Sequence, residues 1–190
     1  MFAGHFGLAA GVRAKYPEVP LWALMLGTQL LDVVFVPLFV SGVETMDDHI
    51  GNGYGEAIIH ADYTHSLLGA LLISGLAWIV AKRFWGGRGG RVLAAVVFSH
   101  WLLDLIVHRA DMPILPGNWG GLPTLGLGAW SHPWLAISLE LVLLAAGLGM
   151  YVHAALKALS GRKKRYAYLS GAVLGCLLVL ALLNDVLELF

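Results

Sequence analysis

Six ionisable side chains lie inside or at the edge of stretches that are otherwise Leu, Val, Ala and Ile: Asp32, His65, His100, Asp104, His108 and Glu140. A charge at bilayer depth costs at least a few kcal/mol, so such groups need partners, a water-filled cavity or a metal. The sharpest pattern is His100-Trp101-Leu102-Leu103-Asp104-Leu105-Ile106-Val107-His108, in which ligand-type side chains recur every four residues. On a helix this spacing places all three on one face. An imidazole and a carboxylate one turn apart can hold a single cation, and the third group, one turn further, can reach a second. Neutral imidazole and carboxylate suit zinc, and equally manganese or iron. The plainer alternative is that His100 and Asp104 only hydrogen-bond each other within an apolar bundle.

The elements that position these groups follow from composition. Of 190 residues 58% are hydrophobic and 13% charged, against about a quarter charged in a soluble domain. The polar residues are gathered into short segments between apolar runs at 21–40, 64–81, 92–108, 134–156 and 167–188. Each run approaches or exceeds the roughly 20 residues that cross the hydrocarbon as a helix. No period-two alternation supports a lipid-facing barrel. The expectation is an all-α, single-domain polytopic membrane bundle of five transmembrane helices.

Eleven of the twelve Lys and Arg residues fall before the first run, between the second and third, or between the fourth and fifth. The positive-inside rule then puts the N-terminus in the cytoplasm and the C-terminus outside. The acidic segment 41–63, with Glu44, Asp47, Asp48, Glu56 and Asp62, lies on the outer face with segment 108–133. Residues 1–11 are apolar but too short to span, and read as a re-entrant or interfacial helix, an irregular element that needs protein or water around it. Net charge is zero, so no basic field points to a nucleic-acid partner.

Counting about 1.5 Å of rise per residue from the cytoplasmic anchors puts His5, Asp32 and His100 at about 12–17 Å, Asp104 at about 20 Å, and His65, His108 and Glu140 at about 25 Å. A polar column opening outward is the expectation. In Asp62-Tyr63-Thr64-His65-Ser66, Asp62, Thr64 or Ser66 can cap a helix, which leaves His65 as the stronger ligand candidate. His49 and His153 read as surface residues, His132 as an outside candidate for a ligand, and Asn184, Asp185 and Glu188 as an exposed helix end. Cys176 reads as a small packed thiol.

The series His5, Gly27-Thr28-Gln29-Leu30-Leu31-Asp32, Tyr63-Thr64-His65-Ser66 and Ser99-His100-Trp101-Leu102-Leu103-Asp104 resembles the YdjM-type inner-membrane proteins, regarded as metal-dependent hydrolases. The order is also similar to the zinc sites of bacterial phospholipases C and single-strand nucleases. The resemblance implies a bacterial-type inner membrane and Asp32, His65, His100 and Asp104 as metal ligands, with His5 and His108 available to further metals. The family usually shows Pro-Asp-x-Asp; here Leu31 precedes Asp32 and Val34 takes the second acidic position.

A hydrolase of this kind would use a cation to acidify water, with His108 or Glu140 as general base or as ligand to a second cation, and with a phosphoester or lipid-linked substrate reached from the bilayer. Two other functions fit a His/Asp column. One is ion or proton transport, which the absence of paired halves disfavours. The other is haem carriage by two of the histidines, which the interleaved carboxylates disfavour.

Overall fold

The computed structural model describes residues 2–47 and 58–187. His49 and Glu188 lie outside the described residues. Among the described residues the chain is all-α apart from one short hairpin, and its long apolar helices make it an integral membrane protein. Three helical stretches among the described residues are long and apolar enough to cross a bilayer, and a fourth span results if one bent pair counts as a unit.

Helix α1 (Phe2–Lys15) is buried within the bundle, chiefly against α5, then α2 and α6. Its small residues allow this, because without bulk on the contact face two backbones can touch. A methyl group on Gly7 would lie 2.6 Å from the Leu143 carbonyl oxygen, and one on Gly147 would collide with the Gly7 carbonyl.

Helices α2 (Leu21–Thr28) and α3 (Leu30–Val40) form the bent pair, broken at Gln29 through 48°. No proline sits at the break. The Thr28 hydroxyl instead donates to the Met25 carbonyl at 2.8 Å, a back-bond that bends helices. The segment after α3 then forms an antiparallel hairpin, β1 (Thr45–Asp47) with β2 (Ile58–His60), with Met46 opposite Ile59.

Helix α4 (Leu67–Val107) has 41 residues and would be about 60 Å long if straight, twice the hydrocarbon thickness. It doubles back. The Trp101 indole N–H, near its end, donates to the His65 carbonyl just before its start at 2.8 Å. The break falls at Trp85–Gly86, where Gly86 takes φ +68°, a conformation only glycine adopts without a steric penalty. The two arms, 67–84 and 87–107, take the place of the expected runs 64–81 and 92–108. They reach further into the basic segment because Lys82, Arg83 and Arg91 stay helical, their long stems exposed and free to carry the charge to the surface. At the other end the helix starts only after Ser66, whose hydroxyl oxygen accepts from the Gly69 amide at 3.0 Å.

Helices α5 (Pro133–Ala158) and α6 (Lys164–Leu187) close the bundle. Their inward faces are Ala136, Glu140, Leu144 and Gly147, and Gly171, Leu174, Leu178 and Leu182, while Leu141, Val142, Leu177 and Leu180 are more than half exposed. The one ionisable residue on these faces, Glu140, and the glycines Gly147 and Gly171 point inward, as lipid as solvent demands, and leucines lie on both sides.

Candidate metal centre

Four side chains from three segments meet inside the bundle. His100 and Asp104 come from the second arm of α4, Asp32 from the first turn of α3, and His65 from the turn before α4. His100 Nε2 lies 2.9 Å from Asp104 Oδ2 and 3.5 Å from Asp32 Oδ1. His65 Nε2 lies 3.4 Å from Asp32 Oδ1, 3.7 Å from Asp104 Oδ2 and 3.2 Å from His100 Nε2. The His100 and Asp104 side chains are almost wholly buried, whereas that of Asp32 is 39% exposed and forms the open edge of the cluster.

The outward ring nitrogens fix what the inward ones can do. His100 Nδ1 is 2.5 Å from the Thr28 carbonyl oxygen, which only accepts, so Nδ1 carries a proton; Nε2, 2.9 Å from Asp104 Oδ2, offers its lone pair to a cation or, carrying a second proton, donates to that carboxylate. That carbonyl stands at the α2–α3 break, which gives the broken helix a chemical use. His65 Nδ1 is 2.9 Å from the Thr64 hydroxyl oxygen, which in turn lies 3.0 and 3.1 Å from the two oxygens of Glu44. With Glu44 as a carboxylate, the single Thr64 proton goes to Glu44 and the hydroxyl oxygen accepts from His65 Nδ1–H. His65 Nε2, like that of His100, points inward.

Two imidazole nitrogens and two carboxylates thus converge within the bundle, an arrangement that needs a positive charge among them, a bound cation or a protonated imidazole. A cluster able to hold a divalent cation is therefore present, as two overlapping groups, Asp32 with His65 and His100, and His5 with His100 and Asp104. The group of Asp32, His65 and His100 fits a metal in geometry as well as in chemistry. Ligand atoms on a tetrahedral cation with bonds of about 2.0–2.2 Å lie about 3.3–3.6 Å apart, and the separations within this group are 3.2, 3.4 and 3.5 Å, while Asp104 Oδ2, 2.9 Å from His100 Nε2, stands at hydrogen-bond distance.

His5, brought in by α1, stands on the far side of Asp104, with Nε2 3.6 Å from Asp104 Oδ1 and 3.4 Å from the His100 carbonyl oxygen. Its ring centroid is 4.1 Å from that of His100. His108 caps the end of α4, buried, with Nδ1 3.1 Å from Asp111 Oδ1 and its ring 6.4 Å from that of His65. Glu140 is fully buried on α5 and accepts from the Gly4 amide at 2.8 Å. It meets one of the unpaired N–H groups at the start of α1, where a carboxylate also complements the helix dipole.

The layering differs from the helical count. His65 joins Asp32 and His100 instead of lying a layer above them with His108 and Glu140. The reason is local: His65 precedes the helix, in a turn where rise per residue does not apply. His132, His153 and His60 are exposed, and His60 pairs instead with Asp47 across the hairpin at 3.2 Å. Asn184 and Asp185 are half-buried in place of forming an exposed end.

Glu44, Thr64, Asp111 and the Thr28 carbonyl went unnoticed as site components in the sequence, because each supports a ligand without being one. Only Thr64, adjacent to His65, carries a local signal. The chain matches no family model, no curated protein and no solved structure. The buried His/Asp cluster is what bears on function.

Proposed function

We propose that the protein is a membrane-embedded, zinc-dependent hydrolase acting on a phosphoester or lipid-linked substrate from the outer side. The observation that carries the reading is the convergence of two imidazoles and two carboxylates from three segments of the chain, with the outward nitrogen of each imidazole engaged by an oxygen. Asp32, His65, His100 and Asp104 would hold the cation, and His5, against the second oxygen of Asp104, is placed to share that carboxylate with a further ion. A bound divalent cation supplies Lewis acidity and brings the pKa of water toward neutrality.

The chain's own residues divide the remaining work. His108, oriented through Nδ1 by Asp111, is the general base of the two candidates. Glu140, by holding the start of α1, positions His5. Asp32 gives the centre its accessible side. Along α2, α3 and the first arm of α4 runs a groove of about 880 Å³ with an apolar lining that includes Leu26, Leu30, Val34, Ile73 and Leu76. Leu30 and Val34 flank Asp32 in sequence, and such a groove suits the hydrocarbon tail of a lipid substrate.

The membrane arrangement proposed with this function is five crossings, formed by α2 with α3, the two arms of α4, α5 and α6, with the N-terminus in the cytoplasm. α1 packs inside the bundle as the re-entrant element. The clustering of Lys and Arg supports that orientation.

Elemental analysis of protein purified in detergent tests the centre, and release of headgroup or phosphate from a panel of phospholipids and lipid-linked phosphates tests the chemistry. Zinc close to stoichiometric, with metal and turnover both lost in His100→Ala and Asp104→Ala, is the expected result. Unchanged metal content in the double variant would refute the centre. Metal binding without turnover, joined to metal flux in proteoliposomes that Asp32→Asn abolishes, would replace the hydrolase with an ion-handling protein.

A further inference from the structure

Glu44 is 1% exposed although it belongs to a loop whose other described acidic residues, Asp47 and Asp62, are exposed or half-exposed. Its Oε1 accepts from the Tyr63 amide at 2.9 Å and the Thr64 amide at 2.8 Å, and the Thr64 hydroxyl lies 3.0 Å from its Oε2. Beyond the hydroxyl stands His65 Nδ1, at 2.9 Å, and beyond the imidazole the Nε2 that faces Asp32, His100 and Asp104. A carboxylate, a hydroxyl and an imidazole therefore form one line from the outer loop to the candidate metal.

We infer that Glu44 is a positioning residue that, through Thr64, selects the tautomer of His65 and thereby sets the metal affinity of the centre. The inference rests on the metal-site reading for its affinity arm, and on geometry alone for its tautomer arm. A hydroxyl has one proton to give. A carboxylate accepts only, so with Glu44 in place the Thr64 proton points outward and its oxygen accepts from His65 Nδ1–H. His65 Nε2 is then a lone pair. An amide at position 44 removes the acceptor nearer the hydroxyl: its NH2 donates to the Thr64 oxygen, and its remaining oxygen, 3.1 Å from the hydroxyl, is already engaged by the Tyr63 and Thr64 amides, so the Thr64 proton is released to turn to His65 Nδ1 and the imidazole proton to move to Nε2, where it blocks a ligand position.

The change Glu44→Gln is nearly isosteric and keeps an acceptor for the Tyr63 and Thr64 amides, so the prediction concerns proton placement more than packing. Outer partners of metal-binding histidines typically account for about 10- to 100-fold in affinity. That range is the expected loss. Thr64→Val keeps both backbone amides on Glu44 and cuts the line at the hydroxyl, while Thr64→Ser restores it.

The experiment uses the full chain in detergent micelles. Nitrogen-15 NMR of labelled histidine, with the His65 signals identified by their loss in His65→Gln, reads the tautomer in chelator at alkaline pH, where the spectrum shows the ring to be neutral. Competition titration with zinc reads affinity. The expected result is Nδ1–H for His65 in the parent and in Thr64→Ser, and Nε2–H in Glu44→Gln. Zinc affinity is expected to fall 10- to 100-fold in Glu44→Gln and Thr64→Val, and the double variant should be no weaker than the weaker single one. An unchanged tautomer in Glu44→Gln, or zinc affinity within about twofold of the parent in Thr64→Val, would overturn the inference. Absence of zinc binding by the parent protein would sink the metal-site reading instead, and the tautomer measurement would still decide the role of Glu44. Should Glu44→Gln fail to fold, the Thr64→Val and Thr64→Ser pair carries the same decision.

Discussion

Replacing Asp32 by Asn separates a metal ligand from a structural residue more cleanly than any other change at the centre. The Asp32 side chain is 39% exposed, and the described polar contacts of its carboxylate are to His65 Nε2 at 3.4 Å and His100 Nε2 at 3.5 Å. Asn has the same shape, and its amide can donate to either nitrogen. In chelator the variant should therefore unfold within about 1 kcal/mol of the parent, as partly exposed substitutions usually do. Zinc separates them. At a free zinc concentration 100 times the parent's Kd, binding to the native state adds about 2.7 kcal/mol. Loss of an anionic ligand should weaken binding by about 100-fold, the upper end of what even an outer partner contributes, which leaves the variant about 0.4 kcal/mol of zinc stabilisation at that concentration. The gap of about 2.3 kcal/mol corresponds to about 5–9 °C in midpoint for a chain of this length. Thermal unfolding in detergent, followed by tryptophan fluorescence with EDTA and with buffered zinc, measures both terms. Equal zinc-induced shifts in the two proteins would refute Asp32 as a ligand, and a parent that zinc does not stabilise would refute the centre.

Other parts of the structure make separate predictions. Gly7→Ala puts a methyl 2.6 Å from the Leu143 carbonyl oxygen, so α1 must back off by somewhat under 1 Å, at a cost of about 1–3 kcal/mol; turnover should fall by up to about 100-fold through displacement of His5 while zinc on the other ligands is retained, as thermal melts, assays and elemental analysis would show. Glu140→Ala leaves the Gly4 amide without its carboxylate and should lower stability by about 1–3 kcal/mol in the same melts; a change below a few tenths would deny Glu140 its part in docking α1. Trp101→Phe removes the indole donor to the His65 carbonyl and should lower both the unfolding midpoint, by about 1–3 kcal/mol, and zinc affinity. Single cysteines at Ser41 and Ser160, in a Cys176→Ser background, should react with an impermeant maleimide from opposite faces of sealed vesicles, Ser160→Cys from the cytoplasmic one; labelling of both from one face would refute the proposed crossings.

Much of the centre could be read locally. His100 and Asp104 share a helix face because helical periodicity alone puts residues i and i+4 together, and an ionisable group in an apolar run announces itself by its cost. The same economics marked Asp32, His65, His108 and Glu140 as groups in need of partners, and the apolar runs marked the lipid-exposed helices. None of this required knowledge of which helix lies against which.

Only the tertiary structure decided who the partners are. His65 reaches His100 because the helix begins after Ser66 and α4 reverses at Gly86, whereas a count along an uninterrupted helix puts the two in different layers. Glu140 turned out to hold the first turn of α1, and Glu44, one acid among several in a polar loop, turned out to lie buried behind His65. These assignments depend on contacts between residues 20 to 136 positions apart, and such contacts are set by how breaks, turns and close-packed glycines direct whole helices. A residue's type and its neighbours in the chain state what it needs; the packing of distant elements determines what supplies it.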